Sequence, residues 1–142
     1  MKRYQLYEGS IEIPDEWKDQ TMNAFMLPET SGKGAQASIV ISRDYETKSE
    51  TVEHYADLQL VEAAKKLPKY KLLRRSEIQV SGRTAMQIDY AWATPERVEV
   101  RQRQAIVQNG DYFLTMTITT PAKDFPKYEA MWGETLKNVV LQ

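Results

Sequence analysis

Hydrophobic and polar positions alternate one for one over most of this chain, and the period lengthens in only two places. Strict alternation marks a half-buried strand, whereas recurrence every three to four residues marks a helix. The segments Tyr4 to Ile13, Thr21 to Leu27, Ala37 to Tyr45, Tyr70 to Val80, Thr84 to Thr94 and Arg97 to Pro121 read as strands, the first and last as hairpins. Thr47 to Leu67 reads as the main helix, because Val52, Tyr55, Ala56, Gln59, Leu60, Ala63 and Leu67 fall on one stripe. Thr47-x-x-Glu50 fits a capping box at its start, and Pro68 closes it. A second helix is expected near the end. Asp124 caps it, Pro126 lies in its first turn, and Phe125, Tyr128, Trp132, Leu136 and Val139 recur at helical spacing. Most connections are hairpins. The expectation is therefore an α+β fold in one domain, residues 1–142, with a largely antiparallel sheet packed by two main helices.

The hairpin Arg97 to Pro121 admits two registers around Asn109-Gly110. A two-residue loop pairs Gln108 with Asp111 and puts Arg101 and Arg103 on the face of Leu114, Met116 and Ile118. A three-residue loop, with Gly110 left-handed in a bulge, pairs Val107 with Asp111. It collects Val98, Val100, Gln102, Gln104, Ile106, Tyr112, Leu114, Met116 and Ile118 on one face. A slip of one residue flips every side chain, so the cleaner sorting is expected. Its consequence is two glutamines, Gln102 and Gln104, in the middle of an apolar face.

Composition narrows the function classes. The chain has 142 residues, no cysteine and a net charge of −1. Disulfides and thiolate chemistry are excluded, and no bulk field draws the chain to nucleic acid or lipid. The basic residues of MKRYQLYEGSIEI are not followed by an apolar run, and no stretch has the length of a membrane span. A cytoplasmic setting without stable membrane association is expected. His54, the single histidine, falls on the polar side of the main helix, as a solvated side chain does. Gly32-Lys33-Gly34 lacks the order of a phosphate-binding loop. Nothing converges as nucleophile and base, so no enzyme, metal or cofactor is expected. Lys65, Lys66, Lys69, Lys71, Arg74 and Arg75 cluster around Tyr70. An anion or RNA contact is one reading of that cluster, and a solvated helix end and edge strand is the favoured one.

The informative residues are the glutamines. Gln59 sits in an apolar helix stripe, and Gln102 and Gln104 sit on an apolar sheet face. Either they satisfy one another or nearby backbone, as buried polar groups normally do, or their face is open as an amide-lined groove awaiting a partner. An unpaired buried amide costs about 1–3 kcal/mol, which favours the groove. Ala56 and Ala63 leave room for close approach of a helix. Met22, Met26, Met86 and Met116 offer adaptable surface. Trp17 is expected to anchor a core or a hairpin edge. Leu58 and Val61, opposite the main stripe, leave room for another contact.

The opening YxLxEGSIEIPxxWxDxTMNxF resembles that of the Eag chaperones of bacterial type VI secretion, within the DcrB-like domains of PsbP-like fold. The resemblance extends over the whole chain. It implies a PsbP-like sandwich and a cytoplasmic, homodimeric chaperone. It further implies binding and shielding of hydrophobic N-terminal transmembrane helices of a secreted effector, and help in loading that effector on the secretion spike. A protein-interaction adaptor of the same fold, serving a soluble partner, is the alternative. The implied client site pairs Gln59 with Gln102 or Gln104, and its apolar part draws on Met22, Ala24, Ile39, Ile41, Ala63, Leu67, Val98 and Val100.

Overall fold

The computed structural model of the protein describes residues 1–28, 37–45 and 48–142. A small hairpin comes first, β1 (Lys2–Gln5) with β2 (Ser10–Ile13). A six-stranded sheet follows, from β3 (Asn23–Met26), β4 (Ser38–Asp44), β5 (Lys71–Val80), β6 (Arg83–Ala93), β7 (Glu99–Asn109) and β8 (Tyr112–Pro121). Its order is β3-β4-β8-β7-β6-β5, and every neighbouring pair is antiparallel. Helix α1 (Val52–Lys66) carries the chain from β4 to the far edge strand β5 and therefore crosses one face. A 3-10 segment (Ala122–Tyr128) and helix α2 (Glu129–Lys137) close the chain on the other face. The α+β class, the antiparallel sheet and the two helices are as expected.

Each sheet face carries its own core. Under α1 lie Met86, Ile88, Tyr90, Ile106 and Phe113, with Val52, Tyr55 and Ala56 from the helix. Tyr55 stacks on Phe113 at 4.4 Å between ring centres. Opposite, Phe125, Tyr128 and Trp132 pack on Ala37, Ile39, Val80, Ala85, Ala105, Val107, Leu114, Met116 and Ile118. Small residues at 85 and 105 let the aromatic side chains of the closing segment sit close to the sheet.

The β7–β8 hairpin corrects the expected register. Asn109 pairs with Tyr112, so Gly110 and Asp111 form the two-residue turn and Gly110 takes a φ of +66°. A first central glycine with positive φ suits a hairpin turn that follows the strand twist. Gln102 and Gln104 therefore face Thr119 and Thr117, not Leu114, Met116 and Ile118. The cleaner sorting failed because the arginines it sent to solvent have partners inside. Arg103 donates from Nε to the buried Asp89 at 2.9 Å, and Arg101 lies 3.4 Å from the same oxygen. Both guanidiniums lie over the Phe125 ring, at 4.2 Å for Arg101 and 4.7 Å for Arg103. Pairing and cation–π contact let two arginines share an apolar face.

Other boundaries shift for local reasons. Helix α1 starts later than expected, with Thr51 as N-cap accepting from the His54 N–H at 3.2 Å. Thr47 lies outside the described residues, as does Gly32-Lys33-Gly34. Asp124 does not cap α2. It sits inside the 3-10 segment and pairs with Lys127 at 3.2 Å. Trp17 is 58% exposed and joins no core, but it lies beside the β1–β2 hairpin, lining a cleft with Tyr4, Leu6, Ile11 and Ile13. Met86 and Met116 are buried filler, one in each core, so only Met22 and Met26 remain as exposed methionines of the four expected at a surface.

Candidate functional site

Helix α1 covers only part of its face. Its two flanks are fixed by polar contacts. Arg75 of β5 lies 2.9 Å from Asp57 and donates to the Glu53 carbonyl, so that flank overlies β5. Tyr55 donates to Asp44 of β4 at 2.9 Å, so the other flank faces β8 and β4. One turn on from Tyr55, Gln59 lies on this second flank, followed by Glu62 and Lys66, which pair at 3.5 Å. Beyond that flank the sheet has no covering element among the described residues.

Strand register sets the open floor. One row runs Ala24–Val40–Thr117–Gln104 and the next runs Met26–Ser38–Thr119–Gln102, each from β3 to β7. Ser42 and Thr115 make a third row nearer Tyr55. Three strand spacings give a floor about 14 Å wide. A helix with its side chains is about 10–12 Å across, so one helix fits between α1 and the β3 edge.

The three glutamines are unlike one another. Gln102 is fully engaged across three strands. Its Oε1 accepts from Trp92 Nε1 at 2.9 Å, and its Nε2 donates to Thr119 Oγ1 at 2.9 Å. Gln104 donates from Nε2 to the Tyr90 hydroxyl at 3.3 Å, while its Oε1 is buried without a partner. Burial pushes the Tyr90 phenol up to about 12, so it stays neutral at ordinary pH. Gln59 is half-buried on the helix wall and makes no side-chain hydrogen bond to any described residue. The wall and floor thus hold two amides with spare capacity, Gln59 and Gln104, and one brace, Gln102.

The other expected residues divide between the two faces. Ala63 and Leu67 are half-buried on α1, packed beside the core under the helix. Ala24 is exposed on the floor, and Met22, 63% exposed, lies just before it in the chain. Val100 is half-buried near the floor's end, where Val98 is 46% exposed. Ile39 and Ile41 do not join them. They pair with Ile118 and Met116 on the opposite face, and Ile39 is buried in the core under α2. Ile39, Val40 and Ile41 form an unbroken apolar run, so alternation could not assign which of them face the core under α2. The residue from that run on the floor is Val40, which sequence reasoning missed together with Ser38, Ser42, Thr117 and Thr119. The floor is consequently richer in hydroxyls than expected, with apolar residues along its edges.

A model of the DcrB family matches residues 8–138. The chain belongs to the DcrB family. A Pseudomonas aeruginosa protein named Effector EagT6 is 37% identical over 140 residues, spanning 99% of this chain and 96% of that protein. A crystal structure from the same organism, described as a protein of unknown function, PA94, also shares 37% identity. It superposes with a TM-score of 0.82, covering 100% of this chain and 97% of that one. The yeast Ran-binding protein Mog1p reaches a TM-score of 0.53 at 13% identity, over 96% of this chain and 83% of its own, a likeness of fold alone. This DcrB-family chain is therefore a homologue of EagT6 over nearly its full length. No helix among its described residues is long and apolar enough to cross a membrane.

Proposed function

We propose that this DcrB-family protein is a cytoplasmic, non-catalytic chaperone that holds apolar helices of a type VI secretion effector on the open face of its sheet. The family relationship to an Eag protein supports association with such an effector. The observation that carries the finer reading is the buried, unpartnered Oε1 of Gln104, at the inner end of a strand row that runs out to the exposed Ala24. Buried polar groups are almost always paired, and an acceptor left without a donor on a half-buried side chain is one that a partner can satisfy once the amide turns toward it.

The floor suits a helix taken from a membrane. Such a helix in water exposes apolar area worth about 25 cal/mol per Å² when covered. Close approach needs small residues, which Ala24, Ser38, Ser42 and Ala63 supply, and hydroxyls and amides then bond across the contact as they do between membrane helices. The rim of Met22, Met26 and Val100, with Val40 on the floor, takes up the apolar side chains. The width fits one helix per chain, so shielding a second requires a second copy, in keeping with a homodimer. The hydroxyl-rich floor also suits an amphipathic segment of a soluble partner, which is the adaptor reading.

Co-expression with the N-terminal apolar segment of a candidate effector, followed by sizing and mass measurement, tests the proposal. The chaperone reading predicts a soluble complex of defined stoichiometry. An aggregated segment and a free chaperone would contradict it. An isolated apolar helix that fails to bind, alongside a soluble partner segment that does, favours the adaptor.

A further inference from the structure

On the face opposite the groove, beside the start of the 3-10 segment at Ala122, lies a cleft of about 420 Å³ that the chaperone reading does not use. Its floor is small. Ala91 stands between Lys71 and Arg101 in one row across β5, β6 and β7, and Ala93 pairs with Glu99 in the row beyond. Lys69 and Arg97 close the end, and Leu73, 41% exposed, lines the β5 side. Of the five ionisable residues lining the cleft, four are cationic. Lys69, Lys71 and Arg97 have no carboxylate within ion-pair distance among the described residues, in a chain whose net charge is −1.

Two observations indicate that this charge is placed. Lys69 and Arg97 both have left-handed backbones, with φ of 54° and 65°. Arg97 ends a three-residue loop, its N–H bonded to the Thr94 carbonyl at 2.8 Å, and glycine is the usual residue at that position. Lys69 follows the end of α1, where the neighbouring Pro68 carbonyl accepts from the Ala93 N–H at 3.0 Å. Strained positions that tolerate glycine thus carry long cations, and both cations converge on one cleft. Arg101 is meanwhile held in place by Asp89 and the Phe125 ring.

We infer that this cleft binds a short extended acidic segment of another protein, one carrying at least two carboxylates. A bilayer surface would meet only the rims of a concave cleft whose floor is alanine. An extended peptide reaches the floor, can place an apolar residue on Leu73, and lies beside β5, the edge strand of the sheet. Because cleft and groove occupy opposite faces, both can be filled at once.

The test uses the whole chain without any client, so its failure leaves the groove reading intact. A fluorescent peptide of alternating Glu and Leu is titrated at low salt and followed by anisotropy, with inorganic phosphate and phosphatidylglycerol vesicles as separate arms. Saturable binding is expected, weakened at least tenfold by Lys71→Ala with Arg97→Gly and weakened by added salt. Gln104→Leu should bind the peptide like wild type. Arg97→Gly relieves a left-handed residue, so its melting temperature should not fall and loss of binding cannot be assigned to misfolding. The inference is overturned if wild type shows no saturable binding, if the double variant binds equally well, or if phosphate or the vesicles bind in preference to the peptide.

Discussion

Gln104 donates to the Tyr90 hydroxyl at 3.3 Å and leaves its own carbonyl oxygen buried with no donor. The long bond and the unmet acceptor belong to the same side chain, so the free protein carries this glutamine at a cost of about 1–3 kcal/mol.

Gln104→Leu removes that acceptor while keeping similar bulk. The free protein should become more stable, by about 1 kcal/mol, as urea denaturation would read. A clear loss of stability would mean that the amide is satisfied in solution and has no need of a partner.

The opposite sign is expected at Gln102. Gln102→Ala strips the partners of the Trp92 indole N–H and the Thr119 hydroxyl, and should cost about 1–3 kcal/mol. Shifts of opposite sign at two glutamines on one strand would separate a brace from a binding group. If Gln102→Ala is neutral, that division of roles fails.

Asp89 is 2% exposed, with Arg103 at 2.7 Å and Arg101 at 3.4 Å. Asp89→Ala leaves partly buried Arg101 without its carboxylate and Arg103 with only the exposed Glu129 at 3.8 Å, and the expected loss is about 3–5 kcal/mol. Thermal melting measures it directly. A loss below 1 kcal/mol, the size of a surface ion pair, would show that solvent already screens these arginines.

Alkaline pH should unfold the α1 side first. Burial raises the Tyr90 phenol from 10.0 to about 12. Tyr55 is raised by burial and then by its hydrogen bond to Asp44. A raised folded-state value favours the neutral phenol in the folded chain. That stability is complete below pH 10, where the unfolded phenols are also neutral, and for Tyr90 it is lost progressively as pH rises through about 12. Melting temperature against pH should therefore drop over this window, and Tyr90→Phe should flatten the drop. An unchanged profile in Tyr90→Phe would assign the loss elsewhere.

Much of the fold was legible because periodicity is local. The strands, the stripe of α1 and the aromatic spacing of α2 all appear close to where alternation and helical recurrence put them. The hairpin register was not legible, since the face that carries Arg101 and Arg103 looks solvated until Asp89 and Phe125 arrive from β6 and the closing segment. The same limit moved Ile39 and Ile41 to the wrong side and hid Val40. In an unbroken apolar run only the neighbouring strand decides which side chains face which core. The three glutamines were recognisable as misplaced. Their separate roles depended on Trp92, Thr119 and Tyr90, partners that sequence spacing does not bring together.

Gln59 and Gln104 are proposed to grip a client helix on an otherwise open sheet. The most direct measurement of that grip is the affinity for the effector's N-terminal apolar segment, solubilised in co-expression and challenged by exchange with tagged wild-type chaperone. Gln59→Ala with Gln104→Leu should release the segment at least tenfold faster while the chaperone's melting temperature does not fall. A double variant that retains the segment as long as wild type does would contradict the amide-lined groove.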